Sequence, residues 1–170
     1  MDSSCAVILV EDTLEALQKL AAWWRSELTL TVIGLTGSNG KTSTKDLTAS
    51  VLSQGFRTIA TQGNLNNHIG VPLTLLAMTR DVEFGIVEMG ASACGEIALL
   101  CSIAEPNYGI VTNIGRAHLE GFGGPEGVRR GKGELYDWLA RTGGRVFVPA
   151  NDPVLMSMAA ERETLAAECY

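Results

Sequence analysis

Five short runs of β-branched and apolar residues recur along the chain, each separated from the next by a stretch with helical spacing. They are LTVIGL (30–35), FRTIA (56–60), FGIVEM (84–89), YGIVTNI (108–114) and RVFVPA (145–150). Within each run the apolar residues are nearly continuous, which is how a strand covered on both faces reads. The stretches between them, 42–54, 71–79, 94–104 and 125–141, are long enough for helical crossovers. The pattern therefore predicts an α/β fold, a mostly parallel sheet with helices on both faces. Pro125 suits the first turn of its helix, where a missing N–H costs nothing. Ahead of the sheet, DTLEALQKLAAWW places Leu14, Leu17, Ala21 and Trp24 on one face, with Asp12 and Glu15 spaced as a capping box. From Asn151 a further helix opens, and nothing after it reads as another strand, so the sheet is expected to be incomplete at the C-terminus.

With 170 residues, 46% of them hydrophobic, the chain can bury the core of one ordinary domain. A net charge of −6 argues against a general nucleic-acid surface or an acidic-membrane surface, so any anion site must be local. Cys5, Cys94, Cys101 and Cys169 show no ligand-like spacing, which fits a reducing cytoplasm better than a disulfide framework or a zinc site. The early apolar run, Cys5 to Val10, is too short to span a bilayer, and no membrane insertion is expected.

Between the first strand and the next helix lies GLTGSNGKTST (34–44). Gly37 and Gly40 free the backbone to turn its N–H groups inward, and the helix that follows directs its positive end at the same spot. Gly37, Ser38, Asn39, Gly40, Lys41, Thr42 and Ser43 thus form a candidate phosphate loop. Lys41 supplies a point charge for the β and γ phosphates, and Thr42 a hydroxyl for magnesium. Position 35 is Leu rather than the Gly of the strict motif.

Further candidates lie at the ends of later strands, where ligands of parallel sheets gather. Glu88 ends the run FGIVEM and offers a hard oxygen ligand to magnesium. TNIGRAHLEGFGG (112–124) carries Asn113, His118 and Glu120. On the helix 125–141, Lys132 falls within the stripe of Val128, Leu135 and Leu139 and should point inward. Burial there would lower its pKa and free the amine for chemistry, unless the ammonium snorkels to water. TQGNLNNHIGVP (61–72) is a polar loop whose Asn64, Asn66 and Asn67 could hydrogen-bond a substrate or merely shape the turn.

The ordered motifs TGSNGKTSTK, GNLNNHIGVPLTLL, VEMGA…GEI, GIVTNIGRAHLEGFG and GKGELY resemble those of the Mur ligases, over about residues 6–155. The wording is most similar to members that add D-alanyl-D-alanine to UDP-N-acetylmuramoyl-tripeptide. It departs from them at Ser92, Ala93 and Cys94, and at Gly124. The resemblance implies a P-loop NTPase-like central domain over 28–170, preceded at 1–27 by the end of an N-terminal domain or linker. By the same resemblance, the N- and C-terminal domains of a full ligase are expected to lie outside these residues. It further implies that ATP and one or two magnesium ions bind, with Lys41 on the phosphates, Thr42 and Glu88 on one ion and His118 on a second. Lys132 takes the position of a carbamylated lysine, and Asn64 and Asn67 lie on the substrate side. The expected reaction is amide formation through an acyl phosphate, with the fragment inactive alone. The alternatives are another Mur ligase, a folylpolyglutamate synthetase-like ligase, or a nucleotide-binding module without catalysis.

Overall fold

A computed structural model describes residues 6–115 and 118–170. The chain runs α1 (Thr13–Ser26), β1 (Thr31–Thr36), α2 (Lys41–Leu52), β2 (Thr58–Ala60), α3 (Gly70–Leu76), β3 (Phe84–Glu88), α4 (Glu96–Ala104) and β4 (Tyr108–Val111). It continues through α5 (Leu119–Phe122), α6 (Pro125–Thr142), β5 (Arg145–Val148), α7 (Pro153–Ala160) and β6 (Ala166–Cys169). The six strands form one parallel sheet in the order β2-β3-β1-β4-β5-β6. The expected α/β class with a parallel sheet is what the chain adopts. The sheet continues further than the sequence reading allowed, because β6 pairs with β5 and closes a last β-α-β unit. The segment AAEC is short and exposed, so it carries no apolar signal of a strand; its backbone pairing with β5 makes it one. The four-residue helix α5 was likewise not anticipated.

Strand alternation decides which helix covers which face. Gly34 and Gly109 turn toward α6, where an added Cβ would meet Leu135 and Leu139. Gly85 turns toward Met78, just beyond α3. This face buries Val32, Val87, Val111, Val146 and Val148. The opposite face carries Leu35 and Glu88, which lie in register, and Glu88 meets α2. On the same face Tyr108 and Phe147 stack with ring centroids 5.7 Å apart and remain half-buried. β4 and β5 therefore alternate in burial where their sequences read as continuous.

Helix α1 begins at Asp12, whose carboxylate accepts from the N–H groups of Leu14 and Glu15. Glu15 itself pairs with Lys19 one turn on. Three side chains fasten α1 to the body, the first being Gln18, whose Nε2 donates to the His68 carbonyl (3.0 Å). Trp24 Nε1 donates to the Met78 carbonyl (2.8 Å), and the buried Arg25 guanidinium donates to the carbonyls of Ala104, Leu28 and Glu105. A buried cation is tolerated here because its donors meet peptide oxygens.

Gly109 of β4 packs against α6 without room for a side chain. A Cβ there would lie 2.5 Å from a Leu139 methyl and 3.2 Å from Leu135. Gly109→Ala is expected to lower the unfolding free energy by about 1–3 kcal/mol through overpacking, read as a reduced urea midpoint with an unchanged slope.

Candidate functional site

Strand β1 pairs with β3 on one side and β4 on the other, while its own chain continues into α2 toward β2. The loops after β1, β3 and β4 therefore converge at the carboxyl edge, where the chain leaves in different directions. The loop after β1 is a tight bend. Gly37 has φ +139° and lies so close to the next strand that a Cβ would sit 2.0 Å from Thr112 Oγ1. Gly40, at φ +78°, starts α2. Both positions require glycine, one for space and one for conformation.

The bend is held from the β4 side. Ser38 N–H donates to the Asn113 carbonyl, Asn39 N–H to Asn113 Oδ1, and Asn113 Nδ2 and Thr112 Oγ1 return hydrogen bonds to the Asn39 carbonyl. Gly115 N–H donates to Ser38 Oγ (2.8 Å). The Ser38 and Asn39 amides are thus committed to the neighbouring loop. Amides for an anion come from Gly40 and the first turn of α2, including Ser43, whose donors have no partner within the helix. Lys41 folds its ammonium over the same bend, 2.8 Å from the Gly37 carbonyl and 3.4 Å from that of Ser38.

Glu88 ends β3 and is only 1% exposed. Its Oε2 accepts from the Thr42 hydroxyl (3.2 Å) and its Oε1 from Asn66 Nδ2 (2.8 Å). A hydroxyl and a carboxylate side by side next to an anion-binding bend form the hard-oxygen set that suits magnesium. Among the described residues no group of three His, Cys, Asp or Glu side chains could hold a metal by itself. An ion here would rely on Thr42, Glu88 and the oxygens of a bound phosphate.

A cleft of about 690 Å³ opens beside the bend, lined by Gly37, Ser38, Lys41, Asn66, Asn67 and His68 and by Gly90, Ala91 and Ser92. His118 and Lys132 also line it, and Leu14, Gln18, Glu96, Leu99 and Leu100 complete the wall. His118 is exposed and left-handed at the start of α5. Lys132 is buried, with its ammonium 3.3 Å from the Ala91 carbonyl and 5.2 Å from the Phe122 ring centre. Its pKa is lowered to about 8, first by burial and then by the charge of Lys41, against the pull of Glu96 and Glu134. The inward direction read from the helical stripe holds, and the ammonium does not snorkel out.

The three asparagines of the polar loop after β2 take different places. Asn66 anchors it, since its carbonyl accepts from Gly90 N–H while its amide holds Glu88. Asn67 lines the cleft, but its side-chain oxygen accepts from the N–H groups of Ile69 and Gly70 and so starts α3. Asn64 is exposed and is not part of the cleft lining. Cys5, and Arg116 and Ala117 of the TNIGRAHLEGFGG motif, lie outside the described residues.

With this geometry in view, the comparisons with known proteins decide the family. Residues 35–168 match the model of the Mur ligase middle domain. The chain belongs to the Mur ligase family. It is similar to the UDP-N-acetylmuramoyl-tripeptide--D-alanyl-D-alanine ligase of Bacillus subtilis, at 47% identity over 152 residues that cover 89% of this chain and 33% of that protein. Among solved structures it is similar to MurF from Acinetobacter baumannii, with a TM-score of 0.88 and 37% identity over 99% of this chain and 37% of the other. It also resembles the MurF ligase of Thermotoga maritima in complex with ADP, with a TM-score of 0.86 and 32% identity, covering 99% of this chain and 39% of the other. The chain thus spans about a third of the length of the curated relative.

Three residues that hold this middle domain's site together were absent from the sequence candidates. Lys45, one turn beyond Lys41, is 3% exposed and stands 3.9 Å from Glu88. Glu134, two residues after Lys132, accepts from the N–H groups of Gly95 and Ala98 and so caps α4 from α6. Glu96 accepts from the Ser92 N–H and fixes the loop between β3 and α4. The GKGE stretch did hint at Glu134, because its glycines let α6 approach its neighbours closely: a Cβ at Gly131 would meet the Phe122 ring at 2.4 Å.

Lys132 gives a pH-dependent prediction. The unfolded chain releases this proton near pH 10.4, while the folded chain releases it near 8. Between those values the unfolded state binds more protons, so stability rises with pH there. Lys132→Met is therefore expected to be more stable than the parent at pH 7, by on the order of 2 kcal/mol after allowing for solvent at the cleft mouth. Paired denaturant titrations should show that advantage closing as pH rises from 8 to 10.

Proposed function

We propose that this chain is the nucleotide-binding part of an ATP-dependent amide ligase that adds D-alanyl-D-alanine to UDP-N-acetylmuramoyl-tripeptide in peptidoglycan precursor synthesis. The family, the name of the Bacillus subtilis relative and the ADP complex of the Thermotoga maritima relative support the reading. The observation that carries it is the Thr42 hydroxyl standing 3.2 Å from the buried Glu88 carboxylate at the mouth of a glycine bend. Because the chain spans a third of its relatives, the amine-substrate and UDP-sugar sites would be completed by further domains of a full-length ligase. Reaction in the cytoplasm fits a supply of ATP, and among the described residues no helix is long and apolar enough to cross a membrane.

The reaction would proceed by transfer of the γ-phosphoryl group to the tripeptide carboxylate, with ADP leaving. The dipeptide amine would then attack the acyl carbon, releasing phosphate and a proton. Carboxylate and triphosphate repel one another, so the protein's contribution is charge neutralisation and positioning. Lys41 and the first turn of α2 supply positive potential at the bend. Thr42 and Glu88 would hold magnesium, which supplies further neutralisation when bound. His118 would serve a second ion from the far wall. Lys132, whose pKa burial depresses, would be the amine that adds carbon dioxide with loss of a proton, and the carbamate would then sit on a side chain that lines the same cleft. Leu99 and Leu100 give part of that cleft an apolar wall. Of the polar loop, Asn67 remains in the cleft wall for substrate.

Calorimetric titration of the chain with ADP and magnesium tests the reading. Binding is expected, and Lys41→Ala should weaken it by at least about tenfold. Grafting residues 35–168 into the Bacillus subtilis ligase then separates a ligase from a binding module. Phosphate release that requires both tripeptide and D-alanyl-D-alanine supports the ligase. A chimera that folds and binds nucleotide but releases no phosphate favours the module.

A further inference from the structure

The buried lysine of α2 is not used by this account. Lys45 is 3% exposed and, like Thr42 and Glu88, lies behind the cleft lining. Its ammonium faces three oxygens: the Gly63 carbonyl at 3.4 Å, Asp46 Oδ1 at 3.4 Å and Glu88 Oε2 at 3.9 Å. Those partners lie on different elements. Gly63 belongs to the loop after β2, which also carries Asn66, and Glu88 ends β3. Lys45 itself sits one turn beyond Lys41 and Thr42 on the helix that begins at the bend.

We infer that Lys45 is a positioning residue that holds Glu88 and the loop after β2 in place for a divalent cation brought in with nucleotide. The inference rests on the nucleotide-binding reading above. Its physical basis is how Glu88 is held. In the structure the carboxylate has the Thr42 hydroxyl in front, and the Asn66 amide and the Lys45 ammonium as its other partners. A cation held between the Thr42 and Glu88 oxygens would draw on this same carboxylate, whose orientation is then set by its two remaining side-chain partners, Asn66 and Lys45. Without Lys45, a buried carboxylate faces only neutral donors, a costly arrangement that a small displacement would relieve. The Gly63 contact also ties the loop that carries Asn66 to α2, beside the Gly90 N–H that holds the Asn66 carbonyl.

The test separates cation-dependent from cation-independent nucleotide binding. ADP affinity is measured by calorimetry on the chain in excess magnesium and again in EDTA, for the parent, Lys45→Met and Lys45→Arg. Lys45→Met keeps the length and apolar stem of the side chain and removes the charge. It is expected to lose most of the magnesium-dependent gain in affinity, about tenfold or more, while its affinity in EDTA stays within about twofold of the parent. Lys45→Arg should recover most of the gain. An unchanged gain in Lys45→Met, or an equal loss with and without magnesium, would overturn the inference. If Lys45→Met does not fold, Lys45→Gln decides by the same criterion, since its amide can still donate to Gly63. A parent chain that binds no ADP would instead overturn the nucleotide reading itself, and the inference with it.

Discussion

The Glu88 carboxylate is the junction on which the rest of the cleft depends. It ends the strand beside β1 and is held by a hydroxyl from α2, an amide from the loop after β2 and an ammonium from the body of α2. Its own N–H donates to Thr61 Oγ1, which ties it to the end of β2. A carboxyl group with so little water is tolerated only when its oxygens find partners. Those partners in turn fix how the phosphate bend, the polar loop and the β3 tip stand relative to one another. The all-parallel sheet makes this possible by delivering all the strand tips to one edge.

The charge pattern of the cleft is local. The chain carries a net −6, yet Lys41 and Lys132 face one cavity, and the start of α2 adds the positive end of a helix. Acids close to that cavity are already engaged by backbone donors. Glu96 accepts from the loop after β3 and Glu134 caps α4, so both fix the wall that carries the Ala91 carbonyl, to which Lys132 donates. Lysine at 132 is therefore costly to bury and firmly oriented, a combination typical of functional rather than structural cations.

Residues with a steric or periodic signature could be found in the sequence, and residues defined by their surroundings could not. Gly37 and Gly40 stand out because a bend before a helix needs them, and Lys132 because it interrupts an apolar stripe. Lys45 gives no such sign. On α2 the exposed positions hold Leu47 and Val51 while Lys45 is buried, so the apolar pattern points to the wrong face. In the loop after β2 the resemblance points to Asn64 and Asn67, and only the approach of Gly90 and Glu88 brings out Asn66. Arg25 is buried by carbonyls nearly eighty residues away in sequence, a contact that no local pattern encodes. β6 is a strand only because β5 offers it an edge.

Paramagnetic broadening by manganese tests the central placement most directly. With ADP present, manganese added to the isotope-labelled chain should first broaden the amide resonances of Gly40 to Thr42, Asn66 and Glu88 to Ala91, since all of them surround the Thr42 and Glu88 oxygens. Broadening centred instead on Arg25, Trp138 and Arg145, which line a second cleft away from the bend, would contradict the account.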